Sequence, residues 1–138
     1  MRFFLSIMTG VSLLCLALSA QAEGERFELL LDSIQETGLL RDAIPPVDRP
    51  DFISVENAGM ILDSTDPIFV YEGQSETYLF PQQIMVWHEI VNLEVDGVRL
   101  AFTYSPLTGS IAAFETHIDM FNTSMGNTGS LLNNNLLM

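Results

Sequence analysis

The chain contains no lysine, five arginines and a single cysteine, Cys15, which falls in an apolar stretch near its start. Against those five cations stand 18 Asp and Glu, so the formal net charge is −13. A surface so short of positive charge repels phosphate backbones and anionic lipid heads, which argues against nucleic acid as a partner. The acidity reads as a solvated face that keeps the protein soluble. A divalent-cation loop is the sharper alternative, with its best candidate in Asp63-Ser64-Thr65-Asp66. That tetrad lacks the glycine and the terminal glutamate of a calcium loop, and it reads as a turn ahead of Pro67. Internal repeats, low-complexity linkers and a Gly-x-Ser-x-Gly nucleophile elbow are also missing, which leaves one domain without the usual serine-hydrolase signature.

The first 22 residues have the pattern of a secretory signal peptide: Arg2 supplies a positive charge, Phe3 to Ala20 is mostly apolar, and Ala20-Gln21-Ala22 is a small-x-small cleavage site. The bland alternative is an uncleaved anchor, since about 20 apolar residues span a bilayer. Ser6, Thr9, Gly10 and Ser12 thin the stretch and favour cleavage. Removing 22 of the 138 residues leaves 116, from Glu23 to Met138, enough for one domain with a modest core. Loss of Arg2 takes the net charge from −13 to −14. Cys15 leaves with the signal, so disulfides, thiolate catalysis and cysteine-ligated metals are excluded from the mature chain. The expected product is an exported protein, periplasmic or extracellular, with no membrane association after cleavage.

Beyond the signal the hydrophobic periodicity changes once. Phe27, Leu30, Leu31 and Ile34 recur at spacings of three and four, which predicts a helix over Arg26 to Glu36 ended by Gly38. Asp42 to Pro50 holds three prolines and reads as an extended connector, and Ser54 can cap a short helix carrying Val55, Ala58, Ile61 and Leu62. After Pro67 the pattern is strand-like: Ile68 to Tyr71 and Thr77 to Phe80 flank Glu72-Gly73-Gln74-Ser75 as a hairpin. Pro81 to Met85 is expected to make one helical turn. The fold class is therefore mainly β, of α+β type: an antiparallel meander or partly open barrel with one or two short N-terminal helices.

Asp96-Gly97 between alternating runs is a strong two-residue turn signal, because both central positions need positive φ. The register that follows pairs Val95 with Val98, Leu93 with Leu100 and Val91 with Phe102 on one apolar face, and sets Glu94 against Arg99 on the other. Carried further, it places Glu89 opposite Tyr104 and His88 opposite Ser105. Ser110 to Glu115 then reads as a third strand running back. A simple meander brings His117 out near Val98, roughly 23 Å from Ser105 at about 3.3 Å per residue, so His88 and His117 should not share a metal.

His88 beside the Ser105 hydroxyl has the form of a general base and nucleophile, although most such pairs are structural hydrogen bonds. Glu89 near Tyr104 reads either as a carboxyl of raised pKa at an apolar edge or as a buried acceptor anchoring the turn. Trp87 reads as core. His117 and Asp119 have metal-like spacing but no third ligand, and Gly109 serves its turn.

Four segments together carry a resemblance: Asp42-Ala43-Ile44-Pro45, Trp87-His88-Glu89-Ile90-Val91-Asn92, Thr103-Tyr104-Ser105-Pro106-Leu107-Thr108-Gly109-Ser110, and Leu131-Leu132-Asn133-Asn134-Asn135-Leu136-Leu137-Met138. This ordered set is similar to the exported prokaryotic family known as domain of unknown function 3179. Members of that family commonly carry cysteine at the position of Ser105 and often at that of Thr108, where the turn resembles a Cys-x-x-Cys element able to hold a metal or cycle redox state. Serine and threonine here are poor ligands for soft metals, which puts any thiol-based role in doubt. The family domain usually continues past the Asn-Leu segment, so the resemblance implies a domain incomplete at its C-terminus, ending in an apolar strand with no partner to follow.

Two functions stay open. The first is a non-catalytic binding or structural β domain with a small polar pocket formed by Trp87, His88, Glu89, Tyr104, Ser105 and Thr108, taking a small molecule or a protein. The second is a hydrolase or metal-assisted enzyme with His88, Glu89 and Ser105 as its catalytic candidates. No cofactor and no resident metal are expected.

Overall fold

The structure is a computed structural model that describes residues 24–118 and 121–138. The segment read as a signal peptide, residues 1–22, and Asp119 lie outside the described residues. Two compact units divide the chain, one ending at Gln35 and the other running from Glu36 to Met138.

The first unit carries helix α1, residues 24–32, followed by strand β1 (Ile34–Glu36), which crosses the boundary. The helix stops earlier than its periodicity predicts. Ser33 closes the last turn, its backbone N–H donating to the Leu30 carbonyl at 3.1 Å and its hydroxyl to the same oxygen at 2.8 Å. Such back-bonding offers an exit from the helix, and β-branched Ile34 continues in an extended conformation. Gly38 does adopt positive φ, +82°, but it follows the strand and not the helix.

In the second unit, α2 (Val55–Ala58) begins at Ser54, whose hydroxyl accepts from the Asn57 N–H at 3.3 Å. This is the cap expected from the sequence, although Val55 and Ile61 point to solvent. The Asp63 to Asp66 segment is a turn closed by Asp66 N–H to Asp63 C=O and Asp63 N–H to the Asp66 carboxylate. Strands β2 (Ile68–Glu72) and β3 (Thr77–Pro81) form the expected hairpin, with Phe69 opposite Phe80 and Tyr71 opposite Tyr78.

The central sheet is an antiparallel meander of β4 (Ile90–Val95), β5 (Val98–Ser105) and β6 (Ser110–Glu115). Its register agrees with the sequence pattern pair by pair, from Val95↔Val98 through Val91↔Phe102, and Glu94 meets Arg99 with an N–O distance of 3.7 Å. Asp96 and Gly97 take φ of +50° and +81°, as a two-residue reversal requires. Two short hairpins complete the chain: β7 (His117–Ile118) with β8 (Phe121–Asn122), and β9 (Ser130–Leu132) with β10 (Asn135–Leu136). The closing apolar run is thus not a lone strand. Asn133 and Asn134 both take positive φ, 51° and 62°, and reverse it; asparagine is among the few side chains that tolerate this region.

Among the described residues the strands do not close into a barrel. One face of the meander, with Val91, Val95, Leu100, Phe102 and Tyr104, packs with Phe80 and Met85. The interior is aromatic: Phe80 and Phe102 stand 4.6 Å apart centre to centre, Tyr71 meets Phe102 edge-on at 4.9 Å, and Phe69 lies 5.0 Å from Tyr104. Each such ring contributes roughly 1.5–3 kcal/mol by leaving water. The other face, through Ile90, Asn92, Ala101, Thr103 and Ser105, is equally buried. Along the outer edge of β4, Val47 of the connector adds a single parallel bridge opposite Val91.

The largest departure from the sequence reading is α3 (Gln82–His88), two helical turns where one was expected. It takes in Trp87 and His88, which the extended register assigns to a strand. Glu89 ends the helix in the left-handed region, φ 59°, and only at Ile90 does the ladder begin.

Candidate functional site

Because α3 claims His88, the proposed pairing with Ser105 fails. The His88 ring instead reaches the connector, its Nδ1 lying 2.9 Å from the Pro45 carbonyl oxygen. Trp87 is 76% exposed and is not core. Glu89 keeps part of its expected place: its carbonyl accepts from the Tyr104 N–H at 2.8 Å, one step beyond the last ladder pair. Tyr104 itself is buried, and its hydroxyl accepts from the Gln82 side chain at 2.7 Å. The six residues grouped by sequence therefore do not form one pocket: Trp87 is exposed, Tyr104 belongs to the core, and the other four fall in two places.

The first place is a polar spine under the connector. The Glu89 carboxylate accepts from the Asn127 side chain at 2.6 Å, and the Asn127 backbone N–H donates to the Asp42 carboxylate at 2.9 Å. Gly129 N–H donates to Asn127 Oδ1 at 2.9 Å. Asn92, also buried, makes a parallel set of bonds: its Nδ2 donates to Asp48 at 2.8 Å and to the Met125 carbonyl at 2.9 Å, and its Oδ1 accepts from Met125 N–H. Burial raises the Glu89 pKa above its ordinary value, and the Asn127 bond works in the opposite direction. Of the two sequence readings for Glu89, the raised carboxyl agrees in direction, whereas the carboxylate is half-buried and bonds Asn127 instead of anchoring the Ser105 turn. The bonds of this spine are internal, and its visible work is to fasten the 41–48 and 123–129 segments to the sheet. Among the described residues no group of three or more His, Cys, Asp or Glu is arranged to hold a metal ion.

The second place is at the Ser105 turn. Ser105 pairs with Ser110 across the β5–β6 ladder, and Gly109, φ 65°, returns its N–H to the Ser105 carbonyl at 2.8 Å. Ser105, Thr103, Ser110, Ala112, Phe114 and Leu136 are among the residues lining a cavity of about 240 Å³, to which Ile111, Asn135 and Met138 also contribute. At its rim Thr108 and Ser110 both donate to Asn135 Oδ1, at 2.7 and 2.8 Å, with their own oxygens 2.6 Å apart. The lining holds no carboxylate, imidazole or guanidinium side chain. It can offer hydrogen bonds and apolar contact, but no proton near neutral pH.

Asn127, Asn135 and Asp42 are the residues that the reading of individual side chains missed. All three lie within or beside segments that carry the family resemblance, which was the available signal. Their partners are distant in sequence, 38 residues for Glu89 with Asn127 and 27 for Thr108 with Asn135, so no local spacing announces them.

Comparison with known proteins agrees with that segment pattern. No curated protein and no solved structure matches the chain. A family model described as "Protein of unknown function (DUF3179)" matches residues 41–138, which takes in the connector, the meander, both site regions and the C-terminal hairpin. The chain therefore belongs to the DUF3179 family.

Proposed function

We propose that this protein is a non-catalytic binding domain, acting after export, whose site is the cavity walled by Ser105, Phe114 and Leu136. The observation that carries this reading is the chemistry of the lining: hydroxyls and one amide beside apolar side chains, and no ionisable side chain. The ligand class it fits is a small uncharged molecule with an apolar body and one or two hydrogen-bonding atoms. A volume of 240 Å³ corresponds to about eight liquid waters, well below a drug-sized pocket. The catalytic alternative loses support because the His88 ring is bonded to the connector and the Glu89 carboxylate to Asn127. The acidic surface keeps nucleic acid and anionic membranes out of the list of partners.

A fragment panel of short-chain alcohols, amides and esters, followed by protein-observed NMR, tests this. Binding should shift the Ser105, Ala112 and Leu136 resonances and should be lost in Leu136→Trp, which fills the cavity. Shifts centred elsewhere, or ester hydrolysis that vanishes in His88→Ala, would overturn the reading.

A further inference from the structure

The two edges of the central sheet are not alike. On the β4 side, Val47 N–H donates to the Ile90 carbonyl at 2.9 Å and Asn92 N–H donates to the Val47 carbonyl at 2.8 Å, so the connector blocks that edge. On the β6 side the backbone is open, and the ladder reveals which groups point outward. Tyr104 N–H bonds the Glu89 carbonyl, so even-numbered β5 residues face β4 and odd-numbered ones face β6. Thr116 N–H donating to the Arg99 carbonyl at 3.0 Å agrees. With the register Thr103↔Ala112, the groups of Ser110, Ala112 and Phe114 are spent on β5, while those of Ile111, Ala113 and Glu115 point away from the sheet. Among the described residues no backbone partner meets them.

Natural sheets blunt such an edge with lysine, proline, a bulge or an inward charge. The strand Ser110-Ile111-Ala112-Ala113-Phe114-Glu115 has none of these: all six residues are exposed, with Ile111 at 43% and Phe114 at 45%. Its one charge sits at the end.

We propose that β6 pairs with β6 of a second copy, antiparallel about a two-fold axis through Ala112, giving a continuous six-stranded sheet. A two-fold perpendicular to the sheet keeps each side chain on its own face, so only registers that pair residues of the same parity are allowed. Centring on Ala112 sets Ile111 opposite the second copy's Ala113 and Phe114 opposite its Ser110. Each large side chain then faces a small one on both faces of the sheet. Ile111 and Ala113, whose backbone groups point outward, become the hydrogen-bonded pairs, four bonds in all by symmetry. Glu115 falls beyond the last pair, opposite the turn at Gly109, so no carboxylate confronts its own copy or an apolar chain. Centring on Ala113 instead would place Ile111 against Glu115, an apolar residue against a charge. The chosen register thus keeps the strand's one charge out of the pairing, whereas the overall −13 on each copy opposes association until salt screens it.

That opposition gives the pairing a signature. In sedimentation equilibrium the protein should be largely monomeric at low ionic strength and increasingly dimeric as sodium chloride is raised. A basic peptide as the true occupant would show the reverse, with added salt weakening the complex. Ala113→Pro removes an N–H that the β5–β6 ladder does not use, so the fold should survive, as its near-ultraviolet circular dichroism will report. Its dimer dissociation constant should rise about tenfold or more for the two bonds lost per dimer. In a Cys15→Ser background, Ala112→Cys should oxidise to a covalent dimer across the non-hydrogen-bonded position, and Ala113→Cys should not. A monomer at every concentration and salt, a dimer indifferent to Ala113→Pro, or cross-linking at 113 in preference to 112 would each overturn the proposal. None of these readouts depends on the cavity being a binding site.

Discussion

Glu89 and Asn127 meet at 2.6 Å, carboxylate to amide, and this bond joins the left-handed end of α3 to a segment 38 residues further along the chain. The contact lies half-buried, which decides how it responds to pH. Burial raises the Glu89 pKa above the ordinary 4.5, against the pull of Asn127. A carboxyl that is a weaker acid when folded takes up a proton on folding. Its contribution is therefore favourable below pH 4.5 and is lost as the pH rises from 4.5 through the raised value. Glu89→Gln keeps an oxygen for Asn127 and removes the charge. Because the site is only half-buried, solvent screening limits the effect. The variant should melt about 2–5 °C above the parent at pH 7, with the difference shrinking towards pH 4. Thermal unfolding at the two pH values checks this, and a variant less stable at pH 7 would refute it.

Asn127 itself is a harder test of the spine. Its side chain donates to Glu89 and accepts from Gly129, while its backbone N–H donates to Asp42. Asn127→Asp replaces the donor facing Glu89 with a third carboxylate in the same cluster. The loss should be about 3 kcal/mol or more near neutral pH, since a buried acceptor is left unpaired beside a like charge. Acidification to about pH 4 should restore part of it, because a protonated carboxyl can donate again. Urea unfolding across that range measures both numbers, and equal destabilisation at the two pH values would show that charge is not the cause.

A second long-range contact ties two turns together. Asp96, in the reversal between β4 and β5, accepts from the Ser75 hydroxyl and from the Gln74 N–H, both at 2.6 Å. Gly73 makes room for this: a β-carbon there would lie 2.9 Å from the Asp96 carboxylate. The Ser75 bond, followed by the Gln74 bond, holds the Asp96 pKa below its usual 3.8. A carboxyl made more acidic by folding contributes stability above its unfolded pKa and loses it as the pH falls through the lowered value. Asp96→Asn keeps a side chain that tolerates positive φ but gives up the charge. Its melting temperature should fall at pH 7, and the gap to the parent should close near pH 2. Amide exchange at residues 73–76 should quicken in the variant.

The contrast between what could and could not be read from sequence follows from where each signal lives. The Asp96-Gly97 reversal combines a local φ requirement with alternation on both sides, and every pair of β4 with β5 followed from it. The Glu72 to Ser75 turn is legible from the strand-like runs on either side of it, and the Ser54 cap from a hydroxyl placed just ahead of the helix. Helix α3 is not. Its start has no side-chain cap, since Pro81 stands at that position, and its end is a glutamate in a conformation usually marked by glycine. With its end unmarked, the helical turn expected from Pro81 stops short and the strand register extends two residues too far, which carries His88 away from Pro45 and towards Ser105. The C-terminal reversal did have a local signal, consecutive asparagines able to take positive φ, but the apolar residues around it read as one continuous strand. The polar spine had none, because hydrogen bonds spanning 33 to 85 residues leave no mark on sequence spacing.

Gly129 shows what closing that spine demands of the backbone. It takes φ of +81°, and a β-carbon at this position would collide with the Leu39 carbonyl. Gly129→Ala should therefore cost about 2 kcal/mol or more, combining backbone strain with a clash against main chain that cannot rotate away. Gly97, at the same φ but with open space around it, should tolerate alanine better. Chemical denaturation of the two variants side by side separates steric crowding from positive φ alone, and equal losses would mean that the Leu39 contact contributes nothing.

Met85 and Trp87 sit two residues apart on α3 and face opposite environments. Met85 is fully buried at 0% exposure in the core with Phe80 and Phe102, whereas Trp87 is 76% exposed. A sequence reading that places Trp87 inside expects its truncation to be the more damaging, by the several kcal/mol typical of a buried aromatic. The helix reverses the order. Met85→Ala should lose about 2–5 kcal/mol through transfer and cavity terms. Trp87→Ala should stay within about 0.5 kcal/mol of the parent, as exposed substitutions generally do. Urea titrations followed by circular dichroism, which does not rely on the tryptophan, rank the two directly. A larger loss at Trp87 than at Met85 would place the indole against other protein surface and reopen the strand assignment of Trp87 and His88.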